Sequence, residues 1–153
     1  MSGLDQMSTR VDADDTCSAR TRDFGHLLPI LHQIRHALER LVTTGEETRI
    51  DLQSMPFGPG DLALLTAQLG TGEVTATVDA LGPTQVRETA IPGVWLVDYQ
   101  NSDTQRLSLQ IEIAPVPAIL RPQPLDLAGS LAMLDAHLER LQGQGDSNQP
   151  LLS

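Results

Sequence analysis

The chain has 153 residues and carries 20 carboxylates against 10 basic residues, every one of them Arg, for a formal net charge of -10. That length is about one domain, enough to bury a core without staples, and the acidic surface repels phosphate backbones and anionic lipid, which argues against nucleic acid and membrane as partners. The absence of Lys removes Schiff-base chemistry and the phosphate-loop lysine, and the lone Cys17 removes internal disulfides and thiolate metal clusters.

Met1 to Arg22 is rich in Ser, Thr, Asp and Arg and lacks apolar periodicity, so it is expected to be a disordered tail over 1–22. No basic start followed by an apolar stretch marks export, and runs such as Leu62 to Leu65 fall far short of the ~20 residues of a membrane span. The expected location is cytoplasmic. A single α+β domain is expected over 23–142, with a flexible tail over 143–153.

From Phe24 to Thr43 the residues Leu27, Leu31, Ile34, Leu38 and Leu41 recur at steps of four and three, which predicts an amphipathic helix with Asp23 as N-cap and Gly45 as stop. Pro29 falls late for a first turn and moves the expected start toward Leu28. Arg49 to Gln53 alternates as a short strand. Gly58, Pro59, Gly60 and Asp61 then open a second helix with Pro59 at its first position, striped by Leu62, Leu65 and Leu69 and closed by Gly70.

Four further strands follow. Glu73 to Ala80 alternates Val74, Ala76 and Val78 with Thr75, Thr77 and Asp79, then come Thr84 to Ile91, Val94 to Tyr99, and a run in which Leu107, Leu109, Ile111 and Ile113 share a face. Gly82-Pro83 and Pro92-Gly93 supply turns, and the short connections imply an antiparallel meander of about four to five strands. Asp126 to Gln142 repeats the first helix's spacing through Leu127, Leu131, Leu134, Leu138 and Leu141. Both leucine-striped helices are therefore expected to cover one apolar face of the sheet.

Candidate chemistry is sparse, and no catalytic residue is assigned. His32 and His36 lie one helical turn apart, a metal-compatible spacing, but no Cys or second His pair joins them, so no metal or cofactor is assigned. Glu88 beside Thr89 has no nucleophile or partner acid at a telling distance, and pairing of Glu88 with Arg87 or Arg106 across the meander is the simpler expectation. Trp95, the single Trp, is either a core anchor or an interface hot spot, and core is favoured. The glycines at 58, 60, 70 and 72 match no dinucleotide fingerprint, and Asp61 would repel an anion at the helix start.

Read in order, Pro59-Gly60-Asp61, Leu64-Leu65, Leu69-Gly70, Gly72-Glu73-Val74, Glu88-Thr89, Pro92-Gly93-Val94-Trp95 and Ile111-Glu112-Ile113 with Pro117 resemble the conserved region of the HupH/HyaF-type hydrogenase expression proteins. The resemblance implies an accessory role in assembling a nickel-iron hydrogenase, as a chaperone or scaffold acting on the iron-sulfur small subunit before export. It implies as partners the hydrogenase small-subunit precursor, other hydrogenase accessory proteins, or a second copy of the chain in a homodimer. The expected contact residues are Glu88, Thr89, Pro92, Gly93 and Trp95, with Asp61, Glu73 and Glu112 behind them. Two alternatives remain open: a metal- or cluster-handling factor built on His32 and His36, and a generic oligomerisation or adaptor domain pairing through an exposed strand edge.

Overall fold

The computed structural model describes residues 24–146. The tail expected over 1–22, Asp23 as an N-cap and the end of the tail expected from 143 lie outside the described residues. After a 3₁₀ turn over Phe24–His26, helix α1 spans Leu28–Thr44, strand β1 Thr48–Asp51 and helix α2 Asp61–Leu69. Strands β2 to β5 follow at Thr75–Asp79, Pro83–Glu88, Val94–Gln100 and Arg106–Ile113. A 3₁₀ turn over Ala118–Leu120 leads into helix α3, Pro124–Asp146, which runs past Gln142.

The fold is α+β, as expected, with one antiparallel five-stranded sheet in the order β1-β5-β4-β3-β2. Strands β2 to β5 form the meander that their short turns demand, and β1 adds itself outside β5. Each turn is set by local chemistry. Gly93 adopts φ +84°, a left-handed conformation that costs glycine little, and a Cβ there would reach within 3.8 Å of Leu38 of α1. The proline before α2 lies outside the helix, because Gly60 takes the N-cap in a left-handed conformation and Asp61 folds back so that Oδ2 accepts the Gly58 N–H at 2.7 Å.

Strand alternation divides the core between two faces. Val94 and Leu96 of β4, with Leu109, Ile111 and Ile113 of β5 and Ile50 of β1, face α1 and α2 and form the main core with Leu27, Ile30, Ile34, Ala37, Leu65 and Leu69. Trp95 and Val97 point the other way and join Val86 in a smaller cluster, flanked by Ala76 and Tyr99 and roofed by Ile119 and Leu120. Central strand β4 is thus apolar on both sides, as a strand covered on both faces must be.

Two further expectations need correction. The most buried residues are Leu27, just before α1, and Ile30, Ile34 and Ala37 within it, while Leu31, Leu38 and Leu41 are only partly buried, so the helix is rotated relative to the leucine stripe. The wider face that includes Ile30 and Ala37 is what fits a flat sheet. Helix α3 does not lie on the sheet at all: its residues are exposed from Pro124 through Gly145, with Leu127, Leu131, Leu134, Leu138 and Leu141 exposed by 48–66%.

Candidate functional site

The turn end of the β3–β4 hairpin gathers most of the expected contact residues. Chain direction reverses over Thr89–Val94, where Thr89, itself buried, donates its hydroxyl to the Val94 carbonyl at 2.9 Å and accepts the Ile91 N–H at 3.2 Å. The hydroxyl therefore serves the Ile91 N–H and adds a second bond to the Val94 carbonyl, which also accepts the Thr89 N–H at 3.0 Å, the usual service of a threonine at such a position. Gly72 is pressed against this hairpin, since its N–H donates to the Glu88 carbonyl at 2.9 Å. A Cβ at 72 would come within 2.5 Å of the Thr89 carbonyl oxygen and 2.9 Å of the Glu88 side chain, so only glycine fits.

The result is a shallow hollow lined by Thr71, Gly72, Glu73, Glu88, Thr89, Ala90 and Pro92. Glu73 is exposed and Glu88 half-buried on its rim. Among the described residues neither carboxylate has an ion-pair partner, whereas Asp98, Glu47, Glu112 and Glu46 each meet an Arg. The expected pairing of Glu88 with Arg106 or Arg87 does not form. Arg106 instead grips Asp98 through two bonds of 2.8 and 2.7 Å, and Arg87, adjacent to Glu88 in β3, points to the opposite face. A cavity of about 20 Å³, room for one water at most, sits beneath the rim between α2 and β3, lined by Thr66, Leu69, Arg87, Glu88 and Leu96 among others.

Behind the hollow the register draws three expected residues into one row. Glu88 stands opposite Trp95, Trp95 opposite Glu112, and Glu112 opposite Arg49, all on the face away from α1. Trp95 is 6% exposed and donates its indole N–H to the Ala114 carbonyl at 3.0 Å, so it is the core anchor that its size favours. Glu112, 2% exposed, accepts the Ala118 N–H through Oε2 at 3.1 Å. Its Oε1 lies 3.1 Å from Arg49 Nε, close enough for an ion pair, but out of line for a hydrogen bond and without any other partner. Burial, with the Glu112 charge adding to it, holds the Tyr99 phenol above its ordinary value. At Asp98 burial pushes the carboxyl up, but the hydrogen bonds from Arg106 and Gln100 outweigh it and leave the group below the usual carboxylate range.

Of the expected contact residues, Glu73, Glu88, Pro92 and Gly93 are therefore at the surface of one hollow or its turn, and Thr89, Trp95 and Glu112 support it from inside. Asp61 stands at the far end of α2, since the helix's other end, through Leu69, meets Ala90. Two contributors escaped the sequence reading. Arg49 could be placed beside Glu112 only once β1 was known to join β5, and the seat at Gly72 has as its single signal a glycine just before a strand.

His32 and His36 lie exposed on α1 along an open groove with Pro29, Gln33, Glu39 and Arg40. His36 Nδ1 is 3.7 Å from Glu39 Oε2, but among the described residues no three His, Cys, Asp or Glu side chains gather as a metal site. No described helix is long and apolar enough to cross a membrane.

Residues 27–141 match the family model described as the HupH hydrogenase expression protein, C-terminal conserved region. The hydrogenase expression/formation protein HoxQ of Azotobacter vinelandii is 28% identical over 116 residues, covering 76% of this chain and 40% of that protein. The hydrogenase expression/formation protein HupH of Rhodobacter capsulatus is 31% identical over 93 residues, covering 61% of this chain and 34% of that protein. Among solved structures, the hydrogenase expression protein HupH from Thiobacillus denitrificans ATCC 25259 is similar with a TM-score of 0.72 and 36% identity, over 77% of this chain and 98% of that one. The chain thus spans well under half the length of these curated relatives.

Proposed function

Because the chain belongs to the family defined by the C-terminal conserved region of the HupH hydrogenase expression protein, we propose that it is an accessory protein of hydrogenase expression and formation that works by binding rather than by catalysis. The finer reading is a maturation chaperone or scaffold that holds the precursor of the iron-sulfur small subunit of a nickel-iron hydrogenase before export. The observation that carries it is the hollow at the end of the β3–β4 hairpin, where Glu73 and Glu88 stand unneutralised on a rim stiffened by Thr89 and Trp95. Carboxylates without an Arg neighbour present their full charge to an incoming cation, and a rigid rim loses little entropy when a partner docks.

A basic segment suits such a rim. If the precursor carries an arginine-containing export signal, charge-assisted bonds to Glu73 and Glu88 supply orientation, and the chain's net charge of -10 speeds encounter. The test is co-purification of the small-subunit precursor with the chain, followed by titration at low and high salt. Affinity is expected to fall about tenfold for Glu73→Gln/Glu88→Gln at low salt, a loss of charge-assisted contacts that vanishes at high salt. Failure to capture the precursor, or an affinity indifferent to both salt and the double substitution, removes this reading.

A further inference from the structure

Helix α3 stands unpacked on the body. It runs for 23 residues with every described side chain exposed, and three of its residues are glycines, at 129, 143 and 145. A Cβ at any of the three would meet nothing, so packing within the chain does not require glycine there. Most helical stability in proteins comes from burying an apolar face, and glycine is a poor helix former where packing does not compensate. Its base, by contrast, is firmly held. Glu112 accepts the Ala118 N–H, and Arg121 meets Glu47 at 2.6 Å.

The pattern of α3 says what kind of surface completes it. Leu127, Leu131, Leu134, Leu138 and Leu141 repeat by four and three, an average of 3.5 residues, which is the a/d seam of a coiled coil. The positions that widen the stripe of α1 enough to cover a sheet, Ile30 and Ala37, are Ser130 and His137 in α3. A narrow seam fits another helix and not a sheet face. We infer that the partner is the α3 of a second copy, packed antiparallel so that Leu127 meets Leu138 and Leu131 meets Leu134 across the dyad.

Charge and area select this occupant. The seam itself carries no charge, and in this register Asp135 falls opposite Ala128 and His137 opposite Ser130, so no like charges meet across it. An antiparallel pair also places the two acidic bodies at opposite ends of the seam, whereas a parallel pair would set two bodies side by side against the net charge of -10 on each chain. In this register four leucines of each copy face one another and Leu141 faces Pro124. The five leucines, exposed by 48–66%, present on the order of 100 Å² each, so two copies would bury up to about 1,000 Å² in all, the lower bound of a specific interface.

The assembly is independent of the acidic hollow and is tested without any precursor. Sedimentation of the full chain over an about hundredfold dilution series around the micromolar range should show a species of twice 16.5 kDa dissociating to monomer. Leu131→Glu/Leu138→Glu should weaken association at least about a hundredfold, because it buries charge in the seam, while the Trp95 fluorescence of the body stays native. In a Cys17→Ser background, mixed Leu127→Cys and Leu138→Cys chains should cross-link on oxidation, whereas Leu127→Cys alone should not, since eleven residues of helix set its two copies about 16 Å apart. A chain that stays monomeric throughout, with α3 exposed, docked on its own body or reserved for a different protein, overturns the inference. So does a dimer untouched by the glutamates, or one in which Leu127→Cys cross-links to itself.

Discussion

Helices α1 and α3 carry leucine stripes of identical spacing, each α3 leucine one hundred positions after the Leu or Ile at the matching place in α1, from Leu27 and Leu127 to Leu41 and Leu141. One stripe is folded into the core and the other stands in water: Ile34 is 2% exposed and Leu134 56%. The difference lies in two flanking positions. Ile30 and Ala37 broaden α1 into a face that seats on β1, β4 and β5, whereas Ser130 and His137 leave α3 a narrow seam. A stripe's spacing identifies a helix, but its width decides what the helix packs against.

The matched positions supply the largest test. Ile34→Ala should cost the body about 2–5 kcal/mol, as a cavity in a packed core does, while Leu134→Ala at concentrations where the chain is monomeric should stay within about 0.5 kcal/mol. Urea unfolding followed by Trp95 fluorescence reads both, and equal losses would erase the contrast. Next is the joint between the two regions. Glu112→Ala strips the Ala118 N–H of its acceptor and Arg49 of its counterion, and should cost about 1–3 kcal/mol in the same assay. It should also raise proteolytic cutting between Ala118 and Pro124. Unchanged stability would mean that the roof over Trp95 is held by Ile119 and Leu120 alone.

Smaller effects sharpen the picture of α3. Gly129→Ala and Gly143→Ala should each favour the helix by about 0.5–1 kcal/mol, seen as greater helical circular dichroism with no shift of the Trp95 transition. A shift of that transition would tie α3 to the body. Acid sensitivity should belong to the body as well. The Asp98 carboxyl is held below its usual range, so its contribution to stability is present above the unfolded value of about 4 and is lost as pH falls through the lower folded value. Asp98→Asn should therefore flatten the loss of stability below about pH 4, and a variant as acid-labile as the parent would contradict the assignment.

Much of this molecule was legible in its sequence, for reasons that also explain what was not. Strands β2 to β5 were readable because alternation and the glycine-proline turns are local, and adjacency followed from short connections. The hollow was partly readable, since Glu73, Glu88 and Pro92 sit beside turns that bring them together. Arg49 beside Glu112 was not, because that contact depends on β1 pairing with a strand some sixty residues later in the chain. Thr89 and Trp95 were singled out as contacts, yet their hydroxyl and indole N–H are directed inward to backbone carbonyls, which residue type alone does not reveal. The undocked state of α3 was hidden by its leucines and written only in Ser130 and His137.

Hydrogen exchange of the full chain, resolved by peptide and repeated across a dilution series, tests the division between body and protruding helix most directly. Amides of α1 should exchange slowly at every concentration, and those of α3 should exchange fast when dilute and slow down as copies meet. Equal protection of the two helices in the dilute monomer would show α3 to be part of the body and would contradict the account.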